Sequence, residues 1–197
     1  MSDINKIYAE KHMEIISTET FEKLKIHPVD VNSMSSSDKY NYFPENKKKL
    51  RETLLYLIDR RGNDGKFDDI YTRNITDMSY LFEYLDEFKG DISEWDVSNV
   101  TTMNGMFWGC EKFNCPLNNW DVGKVKTMNY MFFGCSKFNK PLNKWKVENV
   151  KGMNSMFQYC EQFDQDLSSW DLQGKEYDYM FDSCPISTEN MPKNAWR

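Results

Sequence analysis

Histidine occurs only twice in 197 residues, at His12 and His27. Neither stands in an H-E-x-x-H pattern or beside cysteines and carboxylates at metal-ligand spacing, so no metal site is expected. Cysteine is sparse and odd in number: Cys110, Cys115, Cys135, Cys160 and Cys184. Four of them fall at one position of a repeat, which reads as a column of small apolar residues in a reducing compartment and not as a disulfide framework. Long apolar runs are missing, which excludes a membrane-spanning helix. The opening "MSDINKIYAEKHMEII" lacks a basic stretch followed by an apolar one, so a cytoplasmic location is expected; a trimmed leader would place the protein at a cell surface. An excess of positive charge is missing as well. The net charge is −6, which argues against nucleic acid as a direct sequence-specific target. "RGNDGKFDD" sets acids around a glycine, but Arg60 falls at the first ligand position of the register, which excludes an EF-hand. No phosphate loop or nucleophile elbow occurs, and no cofactor is expected.

What the chain has in abundance is itself. "KFNCPLNNWDVGKVKTMNYMFFGC" (112–135) returns as "KFNKPLNKWKVENVKGMNSMFQYC" (137–160). Trp95, Trp120, Trp145 and Trp170 are 25 residues apart, as are Val100, Val125 and Val150, with Ile75 before them. Met78, Met103, Met128 and Met153 form another column, and Phe82, Phe107, Phe132 and Phe157 another. The unit reads L-x-x-W-x-V-x-x-V-x-x-M-x-x-M-F-x-x-C-x-x-F. Five units follow: 67–91, 92–116, 117–141, 142–166 and 167–190. The first is degenerate, with Ile70 and Thr72 at the Trp and Val positions. The last is one residue short, so Met180, Phe181 and Cys184 arrive one place early.

The alternation of Trp120 and Val122 predicts a short strand. The step of three and four through Val125, Met128, Met131, Phe132 and Cys135 predicts one face of a short helix or 3₁₀ segment. One unit cannot bury its own apolar face, whereas stacked units bury a continuous one. The expected fold is therefore an α/β solenoid, a right-handed array of about five coils with a helical N-terminal cap. Trp120 and Trp145 should be buried between coils. Cys135 and Cys160 should be shielded, and Cys115, off the column, should be the most reactive thiol.

"PLNNWDV", "VTTMNGMF" and "NITDMSYLF" resemble the BspA-like branch of the leucine-rich repeats, the roughly 25-residue type of mycoplasmal and anaerobe surface proteins. The segment 41–82 also resembles the helical lead-in found before such repeats. The resemblance spans about 41–190 and implies a leucine-rich-repeat-like fold. It leaves activity open, since the pattern is made of core residues.

Residues 1–40 lie outside the repeat and are expected to be partly helical. Residues 41–66 read as the cap, with Pro44 and Glu45 at a helix start, Leu50, Leu54, Leu57 and Ile58 on one face, and "RRGN" at its end. Residues 67–190 form the array and 191–197 a tail.

Counting Lys and Arg against Asp and Glu, units one to five carry −5, −2, +3, −1 and −4. The residues between core positions of L-x-x-W-x-V are expected on the concave side: Glu94 and Asp96, Asn119 and Asp121, Lys144 and Lys146, Ser169 and Asp171. A secondary basic stripe consists of Lys124, Lys126, Lys137, Lys140 and Lys151. The expected function is non-enzymatic: a monomeric module that binds a partner protein through the array surface, as in a cytosolic antagonist of a host protein encoded by a phage or mobile element. A surface adhesin is one alternative. A nuclease or hydrolase using His12 with Glu14 or Lys11 is the other.

Overall fold

The computed structural model describes residues 39–195. They belong to Lys39–Arg197, one of the two units into which the chain divides. The expectations placed on residues 1–38, including His12 and His27, lie outside the described residues.

The path of each repeat follows from where its peptide groups find partners. In unit two, the N–H groups of Met103, Gly105, Phe107 and Gly109 donate to the carbonyls of Thr127, Asn129, Met131 and Phe133 in unit three, at 3.0, 2.8, 2.9 and 2.8 Å. The N–H groups between them close turns instead: Met106, Trp108 and Cys110 donate to Met103, Gly105 and Phe107, three residues back. Units one, three and four repeat the pattern. Isolated parallel bridges join Asp77, Thr102, Thr127, Gly152 and Glu176 in one line.

Where a short helix or 3₁₀ segment is expected, over V-x-x-M-x-x-M-F-x-x-C, the described residues form successive turns and no α-helix. A helix would place every N–H within its own segment, whereas here alternate N–H groups join the neighbouring unit. The step of three and four arises from successive tight turns. The bridges that join one repeat to the next along the line from Asp77 to Glu176 lie after the second valine, whereas at the W-x-V positions Ile70 bridges Tyr42 and Asp171 bridges Lys193. Around Trp120 and Val122 the chain closes turns, Trp120 to Leu117 at 3.0 Å and Val125 to Val122 at 2.9 Å.

The repeated columns are the core. The Trp, Val, Met, Phe and Cys positions from 95 to 163 are all below 5% exposed. Phe82, Phe107, Phe132, Phe157 and Phe181 stack with centroids 5.1, 5.5, 5.5 and 5.8 Å apart. Phe88, Phe113, Phe138 and Phe163 form a second ladder at 6.2, 5.9 and 5.9 Å. Such spacing suits offset aromatic pairs.

Two columns are chosen for more than apolar volume. The indole N–H groups of Trp95, Trp120 and Trp145 donate to the carbonyls of Phe67, Ile92 and Leu117, 28 residues earlier. The thiols of Cys110, Cys135 and Cys160 donate to the carbonyls of Phe82, Phe107 and Phe132, at the same offset and 2.9 to 3.0 Å. Each of these carbonyls already accepts one turn-closing N–H. Trp and Cys fill the second lone pair from within the core. Trp170 departs from its column: its buried Nε1 has no partner among the described residues.

Helix α1, Lys47–Arg61, stands before unit one, with Asn46 as its N-cap, Oδ1 accepting from the Lys49 N–H. It begins later than Pro44 because Asn46 supplies the capping oxygen. Gly62 ends it at φ 79°, its N–H returning to the Ile58 carbonyl. Leu50, Leu54 and Leu57 are buried. The carbonyl edge of unit one meets two cations of this helix. Arg51 donates to the carbonyls of Leu81, Tyr80 and Glu83. Lys47 reaches Ser79 Oγ at 2.8 Å and Asp77 at 2.9 Å. Burial lowers the Arg51 pKa from its ordinary value, a cost accepted where backbone acceptors need donors.

In unit five, Lys175 occupies the position of Val100, Val125 and Val150. Its Nζ donates to the carbonyls of Val147, Glu148 and Val150 in unit four, at 3.0, 3.2 and 2.7 Å. The apolar stem fills the column while the ammonium binds the turn above it. The C-terminal segment pairs with the other side of unit five: Lys193 donates to Trp170 at 2.8 Å, and Leu172 to Lys193 at 3.1 Å. No helix among the described residues is long and apolar enough to cross a membrane.

Replacing Trp145 with Ala should lower stability by roughly 3–5 kcal/mol, as for other buried aromatics. Trp145→Phe should lose mainly the bond to Leu117, about 1 kcal/mol. Urea titrations of both variants check the difference; equal losses would deny the indole N–H its role.

Candidate functional site

The turn side of the array places several side chains outward. In each unit the residue two after the first Met position, which Tyr177 fills in unit five, has positive φ: Tyr80, Gly105, Tyr130, Ser155 and Tyr179, between 53° and 59°. A second such column is Tyr84, Gly109, Gly134, Tyr159 and Ser183. Left-handed backbone favours glycine, yet tyrosine occupies five of these ten places. Neighbouring units explain the choice. A Cβ on Gly105 would lie 2.3 Å from the Tyr80 ring, and one on Gly109 would lie 3.0 Å from the Tyr84 ring. Each glycine is the seat of the preceding unit's tyrosine.

Trp108 and Phe133 lie between these columns and join the rings into a continuous row. Trp108 is 6.3 Å from Tyr80, 6.4 Å from Tyr84, 5.3 Å from Tyr130 and 5.0 Å from Phe133. Phe133 reaches Tyr159 at 5.3 Å. Tyr80 is 40% exposed and Tyr159 37%, while Trp108, Tyr130 and Phe133 are half-buried by one another. The Trp108–Phe133 column continues as Gln158 and Asp182, bonded at 2.8 Å, and begins at Glu83. The row is therefore aromatic along its length and acidic at both ends.

An asparagine ladder runs beside it. Asn104 Oδ1 accepts from the Asn129 N–H at 3.0 Å, Asn129 Oδ1 from Asn154 at 2.8 Å, and Asn154 Oδ1 from Asp178 at 2.8 Å. These amides hold register; their oxygens are engaged.

The residues expected on the concave side have varied roles. Asp96 accepts from the Ser98 N–H and hydroxyl, Asp121 from the Gly123 N–H, and Asp171 from the Gln173 N–H. Three of the four acids thus close the turn that follows them. The Gln173 N–H, aided by the Asn194 amide, lowers the Asp171 pKa from the ordinary carboxylate value. Glu94 faces Lys39 at 3.9 Å, and Asp96 faces Arg73 at 3.8 Å. Lys144 reaches Asn119 Oδ1 at 3.2 Å, so columns 119 and 144 do adjoin. Lys146 and Ser169 are exposed. The basic stripe is not one feature. Lys126 and Lys151 follow each other through the 2.8 Å bond from the Lys151 N–H to the Lys126 carbonyl. Lys124 bonds Asn99, and Lys137 and Lys140 sit on the separate segment around Phe138.

For covalent or metal chemistry the surroundings offer little. Among the described residues no group of three or more His, Cys, Asp or Glu side chains is placed to hold a metal ion. A shallow hollow in unit five is lined by Leu172, Gln173, Gly174, Lys175, Tyr177 and Asn194. All five cysteines are free, and Cys115 is buried, contrary to the expectation that it is the most reactive. Burial, with the Asp91 carboxylate 3.8 Å from its Sγ, pushes its pKa up to about 11. Cys184 is the partly exposed thiol, with burial also raising its pKa to about 11. Burial raises Cys135 and Cys160 well above the ordinary value.

The aromatic row was open to a sequence reading through the x positions of M-x-x-M-F-x-x-C. Tyr80, Trp108, Tyr130, Phe133 and Tyr159 interrupt otherwise polar columns there. A family model described as "Mycoplasma protein of unknown function, DUF285" matches residues 76–196. No curated protein and no solved structure matches the chain.

Two predictions follow from this geometry. Gly134→Ala meets no atom closer than 3.7 Å, so only its positive φ is penalised, by about 1 kcal/mol. Gly105→Ala should cost more, and should displace Tyr80, seen as a change in near-ultraviolet circular dichroism. The buried thiols give a pH dependence. An unfolded thiol ionises near 9.0, whereas Cys184 holds its proton to about 11 and Cys135 and Cys160 hold theirs well above 9.0. Above pH 9 the folded state binds more protons than the unfolded one, so stability falls as pH rises. Denaturation midpoints across that range should fall less steeply in a Cys135→Ala, Cys160→Ala variant.

Proposed function

Because the chain belongs to the DUF285 family of Mycoplasma proteins of unknown function, we propose a function from its surface alone: recognition of a partner protein, without catalysis, through the aromatic row. The array itself we read as a leucine-rich-repeat-like solenoid of the BspA-like kind. The unit-to-unit bridges and the capping helix support that reading.

The observation that carries the function is the continuity of six rings, from Tyr80 and Tyr84 through Trp108, Tyr130 and Phe133 to Tyr159. None belongs to the buried columns, so the fold does not need them for its core. Tyr and Trp offer large contact area with few torsions to freeze, which is why they dominate binding hot spots. Glu83 and Asp182 at the ends suit a partner surface with an apolar centre and basic flanks. A module of this kind acts by occupancy, covering a surface that another molecule needs.

A partner recovered by pull-down and identified by mass spectrometry gives the test when its affinity for purified variants is measured by calorimetry. Trp108→Ala should weaken binding by about 2 kcal/mol, roughly thirtyfold. Lys144→Glu with Lys146→Glu should have a smaller effect that fades with added salt. If the charge pair abolishes binding and Trp108→Ala leaves it intact, the contact surface is the one around Trp145 and the aromatic reading fails.

A further inference from the structure

The fifth unit ends in a row of backbone donors that find no acceptor among the described residues. In unit four, the N–H groups of Met153, Ser155, Phe157 and Tyr159 donate to the carbonyls of Glu176, Asp178, Met180 and Asp182, at 2.7, 2.8, 2.9 and 3.0 Å. The equivalent donors of unit five are the N–H groups of Tyr177, Tyr179, Phe181 and Ser183. Among the described residues none of the four has an acceptor. The opposite side of the same unit is paired, since Lys193 bridges Asp171 and the Leu167 N–H reaches Asn190. The gap is confined to the turn side.

We propose that this edge docks a basic segment of a partner protein, which lays its backbone carbonyls against the four N–H groups as one more layer of the array. Segments that extend an open edge gain affinity from main-chain hydrogen bonds and specificity from side chains. Hydrogen-bond polarity comes first in choosing the occupant. The carbonyls of 176, 178, 180 and 182 are bound to unit four, so the edge offers donors and its occupant must bring acceptors. A second copy of this chain cannot pair through the same edge, because donors would meet donors. Its own acceptor edge, at unit one, is already engaged by α1, where Arg51 donates to the Leu81 and Glu83 carbonyls.

Charge then selects among acceptor-bearing ligands. Glu176, Asp178 and Asp182 are exposed beside the donors, in a unit of net charge −4. They disfavour a phosphate or carboxylate, although free N–H rows bind such anions elsewhere. They favour neutral carbonyls carried on a chain with Lys or Arg side chains. Tyr179, 71% exposed, stands among the donors and gives such a chain an apolar contact. The proposal does not depend on the aromatic row, whose rings lie in units one to four.

Amide hydrogen exchange, followed by NMR on the full chain, tests it. In the free protein the amides of Tyr177, Tyr179, Phe181 and Ser183 should exchange far faster than those of Met153, Ser155, Phe157 and Tyr159. The probe is a synthetic peptide copying residues 123–134, GKVKTMNYMFFG, whose carbonyls serve the same N–H row of unit two. A second peptide carries Lys124→Glu and Lys126→Glu. The lysine peptide should slow exchange at the four amides and bind about tenfold more tightly than the glutamate one. Asp178→Lys with Asp182→Lys should reverse that preference. Protection already present in the free chain overturns the proposal. So does equal binding of the two peptides, or absence of protection by either. Protection by inorganic phosphate alone would make the edge an anion site and overturn the assigned occupant.

Discussion

Every second peptide group between Met103 and Gly109 donates forward to the next unit, and its carbonyl accepts from the unit before. Much else follows from that one-way ladder. It ties each unit to its neighbours at a fixed offset, so an inserted residue would shift every later column out of register. The single deletion in unit five is accommodated next to Lys175, where an ammonium replaces a valine and gathers three carbonyls of unit four. The same ladder leaves acceptors exposed before unit one, which α1 covers with Arg51 and Lys47. The repeat, the terminal lysine and the cap are three answers to one hydrogen-bonding demand.

The core was legible because a 25-residue period is far too regular to arise from surface composition. Trp95, Trp120, Trp145 and Trp170 announce a stacked column, and buried they are. The backbone path was less legible. Apolar residues stepping by three and four mark a helix in most sequences, and nothing in Val125, Met128 and Met131 says that the intervening N–H groups leave for another unit. The glycines hold the clue, since Gly105, Gly109 and Gly134 sit at positive φ. Tyr80, Tyr130 and Tyr159 at equivalent places disguise it. The thiol column looked like small apolar packing. Its role as donor to the carbonyls of Phe82, Phe107 and Phe132 depends on geometry that spacing does not encode.

Charge along the columns has a local cause. Acids that stand out in a column, such as Asp96, Asp121 and Asp171, are there to accept the N–H of a residue two positions on. That local demand recurs in every D-x-S or D-x-G turn and carries no information about a partner. The aromatic positions answer no such demand. They vary from unit to unit, and Tyr80 and Tyr84 of unit one are matched by Gly105 and Gly109 of unit two. Such pairwise matching between neighbouring repeats is a mark of individual surfaces on an otherwise uniform scaffold.

The forward-pointing peptide groups have an electrical consequence. In each linked unit four N–H groups point toward the C-terminal end and fewer point back, as Thr101 to Thr76 and Lys112 to Asp86 do in unit two, so the reversal that cancels strand dipoles in a sheet is incomplete. Their moments add along the stack as they do along a helix axis. The array is thus a macrodipole with its negative pole at unit one and its positive pole at unit five. Lys47 and Arg51 stand at the first pole, and Glu176, Asp178 and Asp182 at the second. At the first pole the α1 cations, and at the second the carboxylates of unit five, oppose the field of the backbone beside them.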